Sequence, residues 1–299
     1  MQVLPRVEWQ ARAERHAARV DAFLEPHLAR RADGRRHPVH DFLFTYYSQR
    51  PAQLRRWHPG FGVALEEADE HADLKGYERV ECWTRRPPSG AQHSTAVSAA
   101  YVASQRPLVE RLHALLTATA ARPPQLGCFG LHEWAMVHRS AESDTGTRHD
   151  WPLRLGAAGT DAVVESHRIA CSHFDAYRFF TPTARPLNTL RPARDDRTAF
   201  EQPGCLHAGM DLYKHAFRLT PMVDSDLVAD CFELARDIRL LDMRAAPYDL
   251  SDLGVAPVPI ETAEGKAAYV AAQRAFTERG APLRTRLAAE CERLLQVVG

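Results

Sequence analysis

The sequence predicts a mainly α-helical fold, organised as a single domain over residues 1–299, with a small β-hairpin or meander inserted near residues 150–180. Apolar residues recur at helical spacing through several long segments, and turn residues bound each segment. Between residues 151 and 180 this pattern gives way to alternation and to β-branched and aromatic residues. No fixed-period repeat and no Gly/Pro-rich linker divides the chain.

The first hundred residues predict helices separated by turns. Residues 7–32 form a long helix that ends at Asp33-Gly34. His37-Pro38 opens a second helix that runs through Gln49 and is closed by Arg50-Pro51, because proline suits the first turn of a helix and stops a preceding one. Residues 84–94 carry Pro, Ser and Gly and predict a loop.

Two further helices precede the predicted β insertion. Residues 97–121 form the first, with an apolar set of Val102, Leu108, Leu112, Leu115 and Leu116. Residues 131–139 form a second, shorter helix.

The predicted β insertion covers residues 148–182. Trp151, Leu153 and Leu155 alternate with polar or small residues, and the glycines of 156–159 indicate a turn. Residues 162–180 follow with many β-branched and aromatic side chains, which favour strands.

The C-terminal part returns to helices. Residues 181–204 contain four prolines and four arginines and predict an irregular connection. Helices are predicted over 206–218, 223–243 and 263–297. In the second of these, an apolar stripe runs beside an acidic row at Asp226, Asp230, Glu233 and Asp237.

Composition excludes several classes of protein. Basic and acidic side chains balance at 38 each, and 45% of residues are hydrophobic, which argues against intrinsic disorder. No stretch of about 20 apolar residues predicts a membrane span. The charged N-terminus lacks the apolar core of a secretory signal, so we expect a cytoplasmic protein with reduced cysteines.

Common nucleotide-binding and hydrolase motifs are absent from the sequence. It contains no P-loop, no Rossmann glycine fingerprint and no Gly-x-Ser-x-Gly elbow. The zinc-deaminase signature is absent too, and Met136 stands where His-Glu-x-x-His would require its second histidine.

A cluster of histidines and aspartates predicts a metal site. His207, Asp211 and His215 recur every four residues on a predicted helix, so they lie on one side of it. His173 and Asp175 would share one face of a predicted strand. Imidazole and carboxylate ligands suit iron or zinc. The predicted ligands are His173, Asp175, His207 and Asp211, with structural ion pairs as the alternative.

Two other segments carry candidate residues. Glu133 could serve as a general acid or base if burial shifts its pKa. An arginine-rich region around Arg55, Arg56 and Trp57 could contact an anionic ligand such as a phosphate backbone, or could pair with nearby acids.

Long strings of the sequence resemble an actinobacterial protein family commonly labelled 3-methyladenine DNA glycosylase. The resemblance covers most of the chain and is carried by HPVHDFLFTYYSQRPAQLRRWHPG (37–60), GCFGLHEWAMVHR (127–139), CSHFDAYRFFTP (171–182), QPGCLHAGMDLYKHAF (202–217) and SDLVADCFELARDIRLLDMRAAPYDL (225–250). The label implies hydrolysis of the N-glycosidic bond of an alkylated purine in DNA. That reaction requires base extrusion, aromatic stacking and a carboxylate that guides water.

Two function classes follow from these observations. The first is a DNA-repair N-glycosidase acting on DNA, with catalytic candidates Glu133, Asp175 and Asp211 and substrate-binding candidates Tyr47, Arg55, Arg56, Trp57, Trp134, Tyr177 and Arg178. The second is a metal-dependent oxygenase or hydrolase acting on a small molecule through the His/Asp cluster.

Overall fold

The computed structural model describes residues 1–47, 49–81, 93–140 and 151–297 and confirms a mainly α-helical fold. The chain divides into two compact units. Unit 1 comprises Met1–Ala114, Tyr213–Phe232 and Thr285–Gly299, and unit 2 comprises Leu115–Leu212 and Glu233–Arg284.

The helices of the described residues range in length from 4 to 33 residues. They are α1 (Arg6–Ala32), α2 (Phe42–Tyr46), α3 (Pro51–Arg55), α4 (Asp69–Ala72), α5 (Ala99–Ser104), α6 (Arg106–Ala120), α7 (Leu131–Ala135), α8 (Gly156–Ser166), α9 (Phe174–Tyr177), α10 (Arg197–Phe200), α11 (Leu206–Arg218), α12 (Ser225–Ala245) and α13 (Ala263–Leu295). Short 3-10 turns lie at Arg185–Leu187 and Ser251–Leu253.

The β-structure is a small sheet in unit 1. Its strands are β1 (Gln2–Leu4), β2 (Val63–Glu66), β3 (Tyr77–Glu81) and β4 (His93–Val97), in the order β1-β2-β4-β3. β1 runs parallel to β2, and the other neighbours are antiparallel.

The predicted position of the β insertion, 148–182, is wrong for the described residues from 151 onward. Residues 156–166 form α8 and residues 174–177 form α9. In α8, Val163 and Val164 are buried together with Thr160, at the i, i+3 and i+4 spacing of a helix face. Tertiary packing therefore overrides the strand preference of β-branched residues. Only isolated β-bridges, Leu153 to Tyr248 and Ile169 to Asn188, remain there.

The long predicted helices agree closely with the observed ones. α1, α11, α12 and α13 begin and end within two residues of their predicted bounds. The predicted helix over 97–121 is interrupted at Gln105, between α5 and α6, and residues 97–98 lie before α5. The predicted helix over 37–49 shrinks to α2, with Ser48 outside the described residues, and 131–139 shrinks to α7.

The predicted loop over 84–94 lies mostly outside the described residues. Its last two residues, His93 and Ser94, begin β4 instead. The strands are only three to five residues long and pair with segments far away in the chain. Local periodicity is weak over such lengths, which is why the sequence pattern did not reveal the sheet.

Each unit has its own core. In unit 1 the sheet packs through Leu4 and Leu65 against Trp9 and Trp57. In unit 2 the buried set includes Trp134, whose indole N–H donates to the carbonyl of Ala245 at 2.8 Å. The predicted apolar stripe of α12 is buried: Leu227, Cys231, Leu234, Ile238 and Leu241.

The acidic row of α12 meets arginines within each unit. In unit 1, Asp230 lies 2.8 Å from Arg19, and in unit 2, Asp237 lies 2.9 Å from Arg279. Arginine side chains therefore balance the charge of both aspartates. Among the described residues, no helix is both long enough and apolar enough to cross a membrane.

Candidate functional site

A cavity of about 400 Å³ lies in unit 2, and it is the centre of the candidate site. Its wall is largely apolar, with three imidazoles, those of His132, His167 and His207, and three thiols. Arg168, also on the wall, is exposed and forms no ion pair in the described part of the chain. Cavities of this size and mixed lining are typical of sites for small molecules.

The cavity wall includes a strained segment just before α7. Phe129 has φ of +47° and Gly130, the N-cap of α7, has φ of +69°. A left-handed conformation at a non-glycine residue costs of order 1 kcal/mol, so the surrounding packing must hold Phe129 in place. This turn starts α7 so that His132 faces the cavity.

Beside the cavity, α7 and α12 bring together four buried ionisable side chains, which we call the α7–α12 cluster: His132, Glu133, Arg239 and Asp242. Nε2 of His132 lies 2.9 Å from Oδ1 of Asp242. Nη1 of Arg239 donates to Oε1 of Glu133 at 3.1 Å and to Oδ2 of Asp242 at 2.6 Å. Every member is at most 6% exposed, so these contacts act almost without solvent screening.

Arg239 bonds only one oxygen of each carboxylate, Oε1 of Glu133 and Oδ2 of Asp242. Among the described residues, Oε2 of Glu133 has no hydrogen-bond partner, and Oδ1 of Asp242 and Nε2 of His132 have no partner other than each other, 2.9 Å apart. His132, Glu133 and Asp242 each offer a ligand atom, and these atoms lie within 4.8 Å of one another. Buried polar atoms without partners are rare and costly, so this group suits a cation.

The charges of the α7–α12 cluster shift its pKa values in opposite directions. Burial acts to lower the pKa of His132, but the carboxylates of Asp242 and Glu133 outweigh burial and raise it. Burial acts to raise the pKa of Asp242, but His132 and Arg239 outweigh it and lower it. Without a metal, the cluster therefore favours an imidazolium beside a carboxylate.

His207 connects the α7–α12 cluster to a second group of polar residues. Its ring meets the ring of His132 edge to face, with centroids 4.5 Å apart, and lies 5.3 Å from the ring of His173. Burial, with the neighbouring His132 and His173, lowers the pKa of His207 well below its ordinary value. His207 is therefore a neutral imidazole on the cavity wall, the form that accepts a proton or binds a metal.

The second group consists of His173, Arg197, Glu201 and Asp211. Nη2 of Arg197 donates to Oδ2 of Asp211 at 2.8 Å, and its Nε donates to Glu201. Nε2 of His173 lies 3.4 Å from Glu201 and 3.5 Å from Asp211. Arg197 thus balances one of the two carboxylate charges, and His173 lies beside both.

Three cysteines also line the cavity: Cys128, Cys171 and Cys205. Burial raises the pKa of each thiol, to about 12 for Cys171, so they remain protonated at neutral pH. The described cysteines are free thiols, and Cys82 lies outside the described residues. The cavity cysteines therefore contribute weakly polar surface rather than ionised nucleophiles.

The structure brings three of the four predicted metal ligands close together. His173, His207 and Asp211 are neighbours, as given above. Asp175 does not share a strand face with His173, because Phe174–Tyr177 is helical, and its carboxylate lies 3.6 Å from Arg178. The predicted strand at His173–Asp175 is therefore wrong.

The remaining predicted residues fall in both units. Glu133, a catalytic candidate, is a buried member of the α7–α12 cluster. Among substrate-binding candidates in unit 2, Trp134 is fully buried, Tyr177 packs on Phe180, and Arg178 stacks on Phe179.

The other substrate-binding candidates belong to unit 1. Trp57 is a core residue, only 5% exposed. Arg55 pairs with Asp21 at 2.7 Å, and Arg56 is exposed. Tyr47 packs edge to face against Tyr46 and Tyr213. The residues that line the cavity all belong to unit 2.

Sequence reasoning missed Arg197, Glu201, Arg239 and Asp242. Arg239 and Asp242 are three residues apart on α12, next to Ile238 and Leu241 of the apolar stripe. A charged pair so close to an apolar stripe is the signal that could have identified them, since buried charges are paired or bind ions. The chain matches no protein-family model, and neither the curated proteins nor the solved structures give a match.

Proposed function

We propose that the chain is a metal-dependent enzyme that acts on a small molecule bound in the unit 2 cavity. The observation that carries the proposal is the arrangement of the α7–α12 cluster. Arg239 holds one oxygen of Glu133 and one of Asp242. Among the described residues, Oε2 of Glu133 has no hydrogen-bond partner, and Oδ1 of Asp242 faces only Nε2 of His132, at 2.9 Å. Partners that orient ligand carboxylates in this way are a regular feature of metal sites.

The donor set is chemically suited to a divalent transition metal. One imidazole and two carboxylates, with the neutral imidazole of His207 beside them, provide the nitrogen and oxygen donors that iron, manganese and zinc prefer. Arg239 offsets one negative charge, so a dication bound to the neutral imidazole would leave the cluster with one net positive charge. A metal bound there would supply Lewis-acid or redox chemistry next to the cavity.

The cavity supports a small and anionic substrate. Arg168 lines the cavity and forms no ion pair with the residues that the structure describes, so its guanidinium can bind a carboxylate or phosphate through two parallel N–H groups. The apolar wall residues exclude water from the rest of the molecule. His207, neutral and next to His132, is placed to hydrogen-bond a bound substrate or to add a nitrogen ligand to a metal.

Metal analysis tests the proposal directly. Protein purified without a histidine tag is stripped with a chelator and titrated separately with Fe(II), Mn(II) and Zn(II), and the metal retained is measured by mass spectrometry. We expect close to one equivalent per chain for at least one metal. Asp242→Asn and His132→Gln should each reduce retention at least about tenfold, the loss expected for a missing ligand or its orienting partner.

The matched control is His138→Gln. His138 is also buried and belongs to unit 2, but it bonds Thr183 and Glu165 rather than the cluster. This variant should retain metal like the wild type, and circular dichroism should show all three variants folded. Wild-type retention by Asp242→Asn, or no binding of any of the three metals, would refute the metal site.

An N-glycosidase acting on alkylated DNA is the second candidate function. Its specific support is the cavity, which is large enough for a methylated purine and lined by the aromatic ring of Phe129 and the amides of Gln125 and Gln202. Methylated DNA is incubated with the protein before and after metal removal, and free 3-methyladenine is measured. Release that survives metal removal and is lost in Glu133→Gln would favour this function over the first.

A further inference from the structure

A second cavity, of about 630 Å³, lies in unit 1 and carries a concentration of positive charge. It lies where α1 ends and the chain turns toward α2 and α3. Four guanidiniums line it, those of Arg31, Arg35, Arg36 and Arg50. We call it the arginine cleft.

Most of these guanidiniums are unpaired. Arg35 bonds the exposed Asp33 at 2.6 Å. In the described part of the chain, Arg31, Arg36 and Arg50 have no side-chain hydrogen bond or ion pair. Like charges gathered without partners repel each other, so their arrangement around one cavity favours an anion.

The carboxylate that lines the cleft is already neutralised. Asp41 is buried, accepts from Nε of Arg30 at 3.1 Å, lies 2.9 Å from Nδ1 of His27 and accepts from the backbone N–H of His37 at 2.8 Å. These contacts consume its acceptor capacity. Asp41 therefore does not cancel the charge of the unpaired arginines.

The carboxyl end of α1 does not cancel that charge either. The N–H of Asp33, Gly34 and Arg35 donate to the carbonyls of Ala29, Arg31 and Arg30 at 3.1, 3.2 and 2.8 Å. Gly34, with φ of +68°, allows this closing turn. The last carbonyls of the helix are thus partly satisfied, which weakens the negative end of its dipole.

Gln49 adds a neutral hydrogen-bonding group to the cleft wall. Its side chain is 93% buried, as the residue is only 7% exposed, and its Oε1 has no hydrogen-bond partner. A buried amide oxygen without a hydrogen-bond partner is destabilising. A hydroxyl or amine of a ligand would remove that cost.

We propose that the arginine cleft binds a small organic phosphate bearing hydroxyl groups, such as a sugar phosphate or a nucleotide. Guanidinium forks match the oxygens of phosphate, and three of them are available. The volume exceeds that of a free phosphate ion and lies in the range of small-molecule sites. Gln49 would recognise the organic part. This site shares no residue with the metal-site proposal and does not depend on it.

Calorimetric titration with inorganic phosphate and with ribose 5-phosphate tests the proposal. We expect saturable binding of ribose 5-phosphate at physiological salt, tighter than that of inorganic phosphate. Arg31→Gln, Arg36→Gln and Arg50→Gln should each weaken both ligands about tenfold or more, as expected for a lost charge-assisted bond. Gln49→Leu should weaken ribose 5-phosphate while leaving inorganic phosphate unchanged.

The matched control is Arg15→Gln, which removes an exposed arginine from α1 that does not line the cleft. It should bind both ligands like the wild type. No saturable binding of ribose 5-phosphate, or an equal loss in Arg15→Gln, would overturn the proposal. A single-stranded oligonucleotide that binds more tightly than ribose 5-phosphate, through the same arginines but independently of Gln49, would also overturn it in favour of a nucleic-acid surface.

Discussion

Nη1 of Arg239 lies 2.6 Å from Oδ2 of Asp242, three residues further along α12, and neither side chain is more than 1% exposed. The same nitrogen lies 3.1 Å from Oε1 of Glu133 on α7. One cation thus holds two carboxylates. In the described part of the chain, the remaining oxygen of Glu133 has no hydrogen bond, and that of Asp242 meets Nε2 of His132 at 2.9 Å. This arrangement stabilises the fold and prepares the candidate metal ligands, and the two roles can be separated experimentally.

Replacing Arg239 with methionine should destabilise the protein strongly. Arg239→Met keeps a long side chain but leaves Glu133 and Asp242 as buried charges with one fewer cation. Breaking a buried pair in this way costs about 3–5 kcal/mol, measured as the free energy of unfolding in urea. Arg279→Met is the control, because Arg279 is half exposed where it pairs with Asp237. That variant should lose less than about 1 kcal/mol, and equal losses in both would contradict the assigned role of Arg239.

Metal retention should decrease as the medium becomes acidic. A proton and a metal compete for Nε2 of His132, and Asp242 and Glu133 raise the pKa of that imidazole. A proton therefore competes with the metal for His132 at a higher pH than it would for an ordinary histidine. Metal retained after gel filtration, measured over a range from alkaline to acidic pH, should begin to fall at a pH above 6.5, the ordinary pKa of histidine. His138→Gln should follow the wild-type curve, and retention that is flat over this range would exclude His132 as a ligand.

Acid should also destabilise unit 1 through its buried histidines. Burial, with His71 and Arg56 nearby, lowers the pKa of His58 to about 3, against an ordinary value of 6.5. Between these values the unfolded chain binds a proton that the native chain does not, so the free energy of unfolding decreases as the pH falls through this window. The slope from one such histidine is at most about 1.4 kcal/mol per pH unit.

Urea unfolding at several pH values measures that slope. His58→Gln removes the titrating group and can still hydrogen-bond Tyr77, whose hydroxyl lies 2.9 Å from Nδ1 of His58. The pH dependence should therefore be shallower in this variant. An unchanged slope would show that His58 is not responsible for the acid sensitivity.

Close packing next to the unit 2 cavity should make an alanine substitution destabilising at Gly204 but not at Gly127. A Cβ on Gly204 would lie 2.7 Å from the carbonyl oxygen of Gln125, whereas a Cβ on Gly127 would meet nothing within 4 Å. Gly204 is held in place, since Gln273 donates to its carbonyl at 2.6 Å. Gly204→Ala should therefore lower the free energy of unfolding by about 1–3 kcal/mol. Gly127→Ala should change it by less than about 0.5 kcal/mol, and similar effects would contradict the packing described.

Much of the helical framework could be predicted because its signal is local. The spacing of Leu227, Cys231, Leu234 and Ile238 identifies one face of α12, and all four are buried. The sheet could not be predicted in the same way. Its strands are too short to show a period, and Leu65 of β2 is paired with Thr95 of β4, 30 residues away.

The candidate site was predictable only in part. His173, His207 and Asp211 were identified because their types and spacing suit metal ligands, and they do lie together. Asp242 and Arg239 were missed, because on a surface helix the same residues would simply face water. Burial, which sequence spacing does not report at these positions, converts them into an ion pair that is shielded from solvent.

The sequence by itself determined which segments become long helices and which side chains are chemically able to bind a metal, since both follow from local composition and period. Only the tertiary structure decided which charges meet. Glu133 and Arg239 are 106 residues apart in the chain and 3.1 Å apart in space. The energy of such a contact depends on distance and on exclusion of water, and folding sets both through packing between elements remote in sequence.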